Sequence, residues 1–484
     1  MSHPHKVVRN VSTTLLTQML SWGVTFIVTL YLPRYLGDTG LGAITLAGSF
    51  AAVLSLGVAL GTSTVLTKEI ARDHAEAGPL VLAALAIRLP LGIVAVVLGV
   101  LATAALHYRP DLQMLIWIAL AAMAFAQISD VFGAALRGLE EIPRQNAAAL
   151  AEKVVTSALT VVLVLRHAPL WTFAAVGLAG TLVAAGLCLA ALRSRLKGIC
   201  LPSWTSVRRL VIAGLPFLTT AVFIAVYGQS DALLLSKMSS VAAIGWYGLA
   251  KRLGGTTMML PTALTSAMLP TLARTHHEDR AAFEVTVRRL FHLMLIIVVP
   301  FAAVLILAPG QILALLHYPP AFRHSIPVLM LMGGAVILWY LSNAAATALI
   351  ACDRQAALSR ITGVSALVSV PLCAGCIWLS QHFWANGAIG AMLSDVVLEA
   401  FMVVAYIQAL PRGAFDRGSL AVLGRATAAA LPIIGLFYFV RDKNGLLLLV
   451  PGLLLYVPLC LLLRCLPPQD IQMLQNFWRK RAHA

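Results

Sequence analysis

Charge is what this sequence has least of. Only 11% of its 484 residues are Asp, Glu, Lys or Arg, and 60% are hydrophobic; soluble domains carry about 25% and roughly 45–50%. That balance excludes a chain of ordinary soluble domains. Acids are scarcer than bases, 19 against 35. The sequence also has no GxxxxGK[ST] phosphate loop, no HExxH and no GxSxG, so neither a nucleotide site nor a familiar hydrolase is signalled. Without an ATP site, transport would run on an ion gradient or on the substrate's own gradient. No cofactor or metal is expected. Cys373 and Cys376 form a CxxC, but inside an apolar helix they read as small packing residues. His276-His277 beside Glu278-Asp279 reads as a solvated polar turn rather than a metal site.

What is present is a series of apolar runs of about 20 residues or more, the length that spans a hydrocarbon core as a helix. The first, from Val11 to Leu32, is too long for a signal-peptide core and shows no small-residue cleavage site, so it reads as a retained helix. The full pattern predicts fourteen spans, near 11–34, 41–66, 80–106, 112–136, 144–166, 169–191, 209–235, 241–271, 283–308, 325–350, 355–380, 386–410, 419–440 and 445–465. The fold class expected is therefore an all-α polytopic membrane protein. With the N-terminus inside, most of the 35 Lys and Arg fall in cytoplasmic segments; outer segments hold seven, including Arg34, Arg109, Lys237 and Arg441. This positive-inside bias predicts cytoplasmic termini. It also accounts for most of the +16 net charge without nucleic acid, since basic loops suit an anionic inner leaflet.

The chain repeats itself weakly. Arg34 and Lys237 lie 203 residues apart, as do Gly42 and Gly245, Leu46 and Leu249, Ala47 and Ala250. Arg144-Gln145 recurs as Arg354-Gln355, 210 apart, and Phe173, Gly177 and Gly180 match Phe383, Gly387 and Gly390 at the same offset. Preserved order implies duplication of a six-helix unit. An even number of spans gives parallel repeats. The expected organisation is a lobe over 1–200, a second over 201–412, and two additional helices with a cytoplasmic tail over 413–484.

Ionisable residues within spans are costly unless they face a partner or a cavity. The candidates are the acids Asp130, Asp231, Asp395 and Glu399 and the bases Arg88, Lys251 and Arg252. At ~1.5 Å per residue, Lys251 and Arg252 lie roughly 15 Å below the outer end of their span, and Arg88 roughly 12 Å above the cytoplasmic end of its own. Asp395 and Glu399 are four apart and share a helix face. Adjacent midplane cations suit an anionic substrate; the plainer alternative is that cations and acids pair and tie helices together. Interior prolines (Pro90, Pro216, Pro261, Pro300, Pro371, Pro432) and the Gly57/Gly61 GxxxG signal kinks and close packing, features of any helical bundle.

Several motifs resemble one family. Arg34-Tyr35-Leu36-Gly37 with Gly40 and Gly42, then Gly61 and Lys68-Glu69-Ile70-Ala71-Arg72, are similar to the opening of Wzx-type polysaccharide flippases. So are Leu136-Arg137-Gly138-Leu139 with Arg144 and Asn146, Gly214-Leu215-Pro216-Phe217, Asp231, and Gly245-Trp246-Tyr247 with Ala250, Arg252 and Pro270. The resemblance covers about residues 10–410. It implies the MOP superfamily, with drug-exporting MATE antiporters and the lipid II flippase among its members. Wzx proteins move undecaprenyl-diphosphate-linked oligosaccharides across the bacterial inner membrane through a cationic cavity between two lobes. Arg252 and Arg34 match basic family positions; Lys251 departs from the family, which often has an aromatic there.

The expected protein is a flippase, not an enzyme, working by alternating access in cell-surface polysaccharide biosynthesis. Arg34, Arg88, Lys251 and Arg252 are its candidate substrate-binding residues, and Asp231, Asp395 and Glu399 its candidate ion-coupling residues. Its expected partners are the lipid-linked glycan, membrane lipids, a coupling proton or sodium ion, and a polysaccharide polymerase. A cation-coupled multidrug exporter of the same fold is the alternative. A glycan polymerase or ligase would need a large outer loop, and every outer loop is short.

Overall fold

The computed structural model describes residues 3–193, 203–411, 413, 417–439, 445–463 and 465. The loop around Arg195, the one holding Arg441, and the C-terminal tail lie outside the described residues. Sixteen α-helices follow in order: α1 (His3–Ala59), α2 (Thr62–Arg72), α3 (Ala77–Ala105), α4 (Pro110–Gly138), α5 (Ile142–Leu165), α6 (Leu170–Leu192), α7 (Trp204–Met238) and α8 (Val241–Thr257), then α9 (Met259–Glu278), α10 (Arg280–Leu307), α11 (Pro309–Leu315), α12 (Ile326–Ala351), α13 (Gln355–Trp384), α14 (Gly387–Ala409), α15 (Arg417–Phe439) and α16 (Gly445–Leu462). The described residues contain no strand. All-helical architecture is what an apolar chain requires, because only helices or closed barrels satisfy their backbone in lipid. Large apolar side chains cover the outside, such as Ile93 and Leu101 on α3 and Leu367 on α13. Trp378, Phe383 and Trp384 are exposed together at the end of α13, as an interfacial aromatic belt would be.

Among the described residues nine helices are long and apolar enough to cross a membrane, or ten if α7, bent by 48° between Thr219 and Ala221, is one span. The expected spans differ from the observed helices where the backbone breaks. The first two meet within α1, which is two helices joined across a kink at Gly37 (φ 68°, ψ −175°), a conformation that only glycine adopts readily. The second ends at Ala59, where Leu60 (φ 46°) and Gly61 (φ 67°) turn left-handed, and α2 restarts at Thr62. The expected span 241–271 is two helices, α8 and α9. Pro261 has no N–H for the Thr257 carbonyl, and the Tyr340 hydroxyl donates to that oxygen instead, at 2.6 Å. Thr256 and Thr257 hydroxyls donate to Leu253 and Gly254 carbonyls at 2.7 Å, competing with the helix ladder. At the start of α10, Asp279 is an N-cap, accepting from the Ala281 N–H at 2.8 Å.

The structure divides into two compact units, Met1–Gly248 and Leu249–Ala484. In the first, α4 packs on α3 and α6, and α1 on α4, α5 and α7. Its buried centre includes Leu66, Ile70, Leu80, Ile87, Val131 and Leu136. α1 and the start of α8 approach closely. An added Cβ on Gly42 would lie 1.9 Å from the Val241 carbonyl oxygen, and one on Gly245 1.9 Å from that of Asp38. The two contacts match in register, since 38 and 241, like 42 and 245, are 203 apart. In the second unit α12 packs on α9, α10 and α14, and α13 on α14. α15 lies against α10 and α16, and the Tyr456 hydroxyl donates to the Ile296 carbonyl at 2.7 Å.

Candidate functional site

Arg88 projects from α3 and its side chain is fully enclosed. Its guanidinium donates to the Asp130 carboxylate at 2.9 Å, the Gln127 carbonyl at 2.9 Å, the Thr62 hydroxyl at 3.1 Å and the Ser63 hydroxyl at 2.5 Å. The break at Leu60–Gly61 puts Thr62 and Ser63 within its reach at the start of α2. Ser63 in turn donates to Asp130 at 2.5 Å, and Arg137 reaches the other carboxylate oxygen at 3.4 Å. A planar fork of five donors suits such a set. Three helices are therefore tied by one cation, and that engagement leaves it closed to an incoming anion in this conformation.

Asp231 on α7 is buried, and the Tyr247 hydroxyl of α8 donates to it at 2.5 Å. The Ser49 hydroxyl donates to Gln229, two residues earlier, at 2.9 Å. Arg34 is exposed, three residues before the Gly37 break. Lys237, its repeat counterpart, donates to the Leu106 carbonyl at 2.6 Å and sits 3.6 Å from the Tyr108 ring centroid. It thus closes the C-terminal end of α3, where a cation is favoured.

The second unit separates the two adjacent cations. Lys251 on α8 pairs with Asp395 of α14 at 2.7 Å, the carboxylate being 1% and the lysine side chain 25% exposed. The ammonium also lies 5.3 Å from the Trp339 ring centroid of α12, within cation–π range. Glu399 is buried one turn further along α14. Arg252 is half-buried, and among the described residues it has neither a carboxylate nor a hydrogen-bond acceptor. Its charge reaches the phenol of Tyr318, between α11 and α12. Sequence reasoning identified Asp395 and Lys251 separately and named pairing as the plainer alternative. It missed Thr62, Ser63, Trp339 and Tyr318, since hydroxyl and aromatic residues carry no burial signal of their own.

A helical polytopic fold with ionisable side chains buried along its spans is the architecture of a membrane transporter. A family model described as polysaccharide biosynthesis protein matches residues 7–276, more than half of the chain, and the MatE model matches residues 216–374. The chain belongs to the polysaccharide biosynthesis protein family. No curated protein matches it significantly. Among solved structures it is similar to the lipid II flippase MurJ in an inward closed conformation, with TM-score 0.70 and 12% identity, covering 94% of this chain and 99% of that one. It is also similar to a multidrug resistance MATE transporter of the MOP superfamily facing inward (TM-score 0.63, 15% identity, 90% and 99% covered) and outward (0.55, 16%, 82% and 94%). At these identities the structural likeness shows the fold, which is that of a MOP-superfamily flippase or transporter.

Proposed function

We propose that this protein flips an undecaprenyl-diphosphate-linked oligosaccharide outward across the bacterial inner membrane, by alternating access, for cell-surface polysaccharide assembly. The observation that carries the reading is the contrast at residues 251 and 252: the lysine is neutralised by Asp395, while among the described residues the arginine has no acid. An unpaired cation within a membrane span is expensive. A diphosphate that must shed its hydration is the partner that repays it, through charge-assisted, bidentate contacts. Arg252 is thus the main substrate ligand, with Arg34 attracting the charged group at the outer rim.

Lys251 and Asp395 supply coupling. When a proton or sodium ion neutralises Asp395, the ammonium is released and becomes a second cation for the diphosphate. Glu399, one turn away, and Asp231 with Tyr247 are further carboxylates for the ion. Arg88, with all its donors engaged, fastens α2, α3 and α4; it reaches the head group only in a state where α2 has moved. Both termini are cytoplasmic, two parallel six-helix repeats form the transport core, and a polysaccharide polymerase receives the product.

Deletion of the gene is expected to accumulate lipid-linked oligosaccharide on the cytoplasmic side, and the Arg252→Ala variant to leave it there. Normal surface polysaccharide in the deletion strain would refute the proposal. The MatE match favours one second reading, export of amphiphilic cations. It predicts cation efflux that survives Arg252→Ala, and a free acid at the centre, whereas Asp395 is held by Lys251.

A further inference from the structure

Glu152 lies ten residues into α5, about 15 Å from the helix start, and so well inside a membrane span. Around it, α4 and α5 both pack on α6 and touch each other little. The gap they leave is a cavity of about 190 Å³. Its polar lining is Ser129, Asp130 and Arg137 from α4, Gln145 and Glu152 from α5, and Thr181 from α6. Close packing fixes the walls: an added Cβ on Gly180 of α6 would lie 2.3 Å from Cγ2 of Thr156 and 3.3 Å from Cγ of Glu152. The stem of Glu152 therefore rests on α6.

Among the described residues, no hydrogen bond or ion pair reaches the Ser129 hydroxyl, the Gln145 amide or the Glu152 carboxylate. Arg137 makes a single hydrogen bond among them, to Asp130 at 3.4 Å, and Asp130 is already held by Arg88 at 2.9 Å. Polar groups of four kinds thus converge on one cavity inside a span, where lipid would leave each of them unpaired. They require a polar occupant, and charge decides its kind. Asp130 and Glu152 offset Arg88 and Arg137, so the site presents no net charge for a free cation or a phosphate to neutralise. What it presents is donors and acceptors side by side: hydroxyl and amide do both, carboxylate accepts and guanidinium donates. Neighbouring hydroxyls on a neutral sugar ring are the complement of that set, and the volume is of the order of one such ring.

We propose that this cavity is a sugar subsite, in which Glu152 accepts from hydroxyls of the transported glycan while Arg137 and Gln145 donate to them. This rests on the flippase reading above and adds a subsite to it.

The test uses the purified full-length protein in detergent. The probes are the lipid-linked oligosaccharide extracted from the deletion strain and undecaprenyl diphosphate, which lacks the sugars. Wild type should bind the glycan-bearing lipid more tightly. Glu152→Gln keeps the volume but removes the charged acceptor; it should weaken binding of that lipid about tenfold, the scale of a hydrogen bond to a charged group, and leave undecaprenyl diphosphate unaffected. Ala149→Phe, which fills the cavity from its wall, should abolish the preference. The melting temperature of Glu152→Gln should stay at the wild-type value, because the carboxylate has no partner to lose, and a lowered one would show a structural tie and overturn the assignment. Equal affinity of wild type for the two probes, or undiminished glycan binding in Glu152→Gln, would overturn the sugar subsite and leave the flippase reading intact. If Glu152→Gln instead lost only its response to an imposed ion gradient, the cavity would be a cation site and the assignment would fall. Binding of neither probe by wild type would remove the flippase reading itself.

Discussion

Substituting Lys251 by methionine isolates the ion pair from the volume it occupies. The stem is replaced by a side chain of similar size, so the main loss is charge. Asp395, at 1% exposure, then keeps its position on α14 without the Lys251 ammonium. Removing one partner of a buried pair costs about 3–5 kcal/mol. Asp395→Leu should cost less, because the ammonium it abandons is 25% exposed and retains the Trp339 ring, a cation–π contact of about 0.5–1 kcal/mol where solvent reaches it. Replacing both residues, K251M with D395L, removes both charges from the interior. Such replacements are often neutral or stabilising by about 1–4 kcal/mol. The double variant should therefore be more stable than K251M alone, with a coupling energy of about 2 kcal/mol or more in the cycle. Thermal melting of detergent-purified protein and membrane abundance measure this side. Flipping measures the other: the double variant should be folded yet uncoupled, with transport no longer responding to an imposed ion gradient. Additive single effects on stability would show that the pair contributes nothing, and gradient-driven flipping in the double variant would refute its role in coupling.

Three further outcomes follow from the geometry. Arg88→Ala should destabilise the protein by about 3–5 kcal/mol by abandoning Asp130, Thr62 and Gln127, and Arg88→Lys should not restore it because a point charge cannot bridge all three; a melting temperature near wild type in either would contradict the fastening role. Gly42→Ala or Gly245→Ala, whose Cβ would lie 1.9 Å from a backbone oxygen, should abolish stable expression, while Ala at Gly48 or Gly57, with no atom within 4 Å, should be tolerated or gain about 0.5–1 kcal/mol; equal expression of all four would refute the close contact. Single cysteines near His276 and Arg354 should resist an impermeant thiol reagent in intact cells while those near Arg109 and Lys237 react, and labelling at His276 would reverse the topology.

The fold class was legible because apolar length is a one-dimensional property, and hydrocarbon thickness sets it. Helix breaks were less legible. Gly37 and Gly61 are visible in the sequence, but so are Gly48 and Gly57, which continue their helix; which glycine turns depends on what approaches it, as Gly214 of α7 approaches Gly61. The ionisable residues were found by their cost in lipid, and their partners were not. Lys251 and Asp395 are 144 residues apart, and nothing in either segment announces the other. That pairing is a product of how α8, α12 and α14 pack. The same limit hid Tyr318, whose hydroxyl is buried with no hydrogen-bond partner among the described residues, a property of surroundings rather than of residue type.

The central claim is that Arg252 carries the diphosphate of a lipid-linked glycan, and one assay addresses it directly. Purified protein is reconstituted in vesicles with a fluorescent undecaprenyl-diphosphate-linked oligosaccharide, and transfer between leaflets is followed by accessibility to an external quencher. Wild type should flip the lipid. Arg252→Ala, with an unchanged melting temperature, should flip it at the rate of protein-free vesicles, and Arg252→Lys at an intermediate rate, since the charge remains but the bidentate contact is lost. Flipping by folded Arg252→Ala at the wild-type rate would contradict the account.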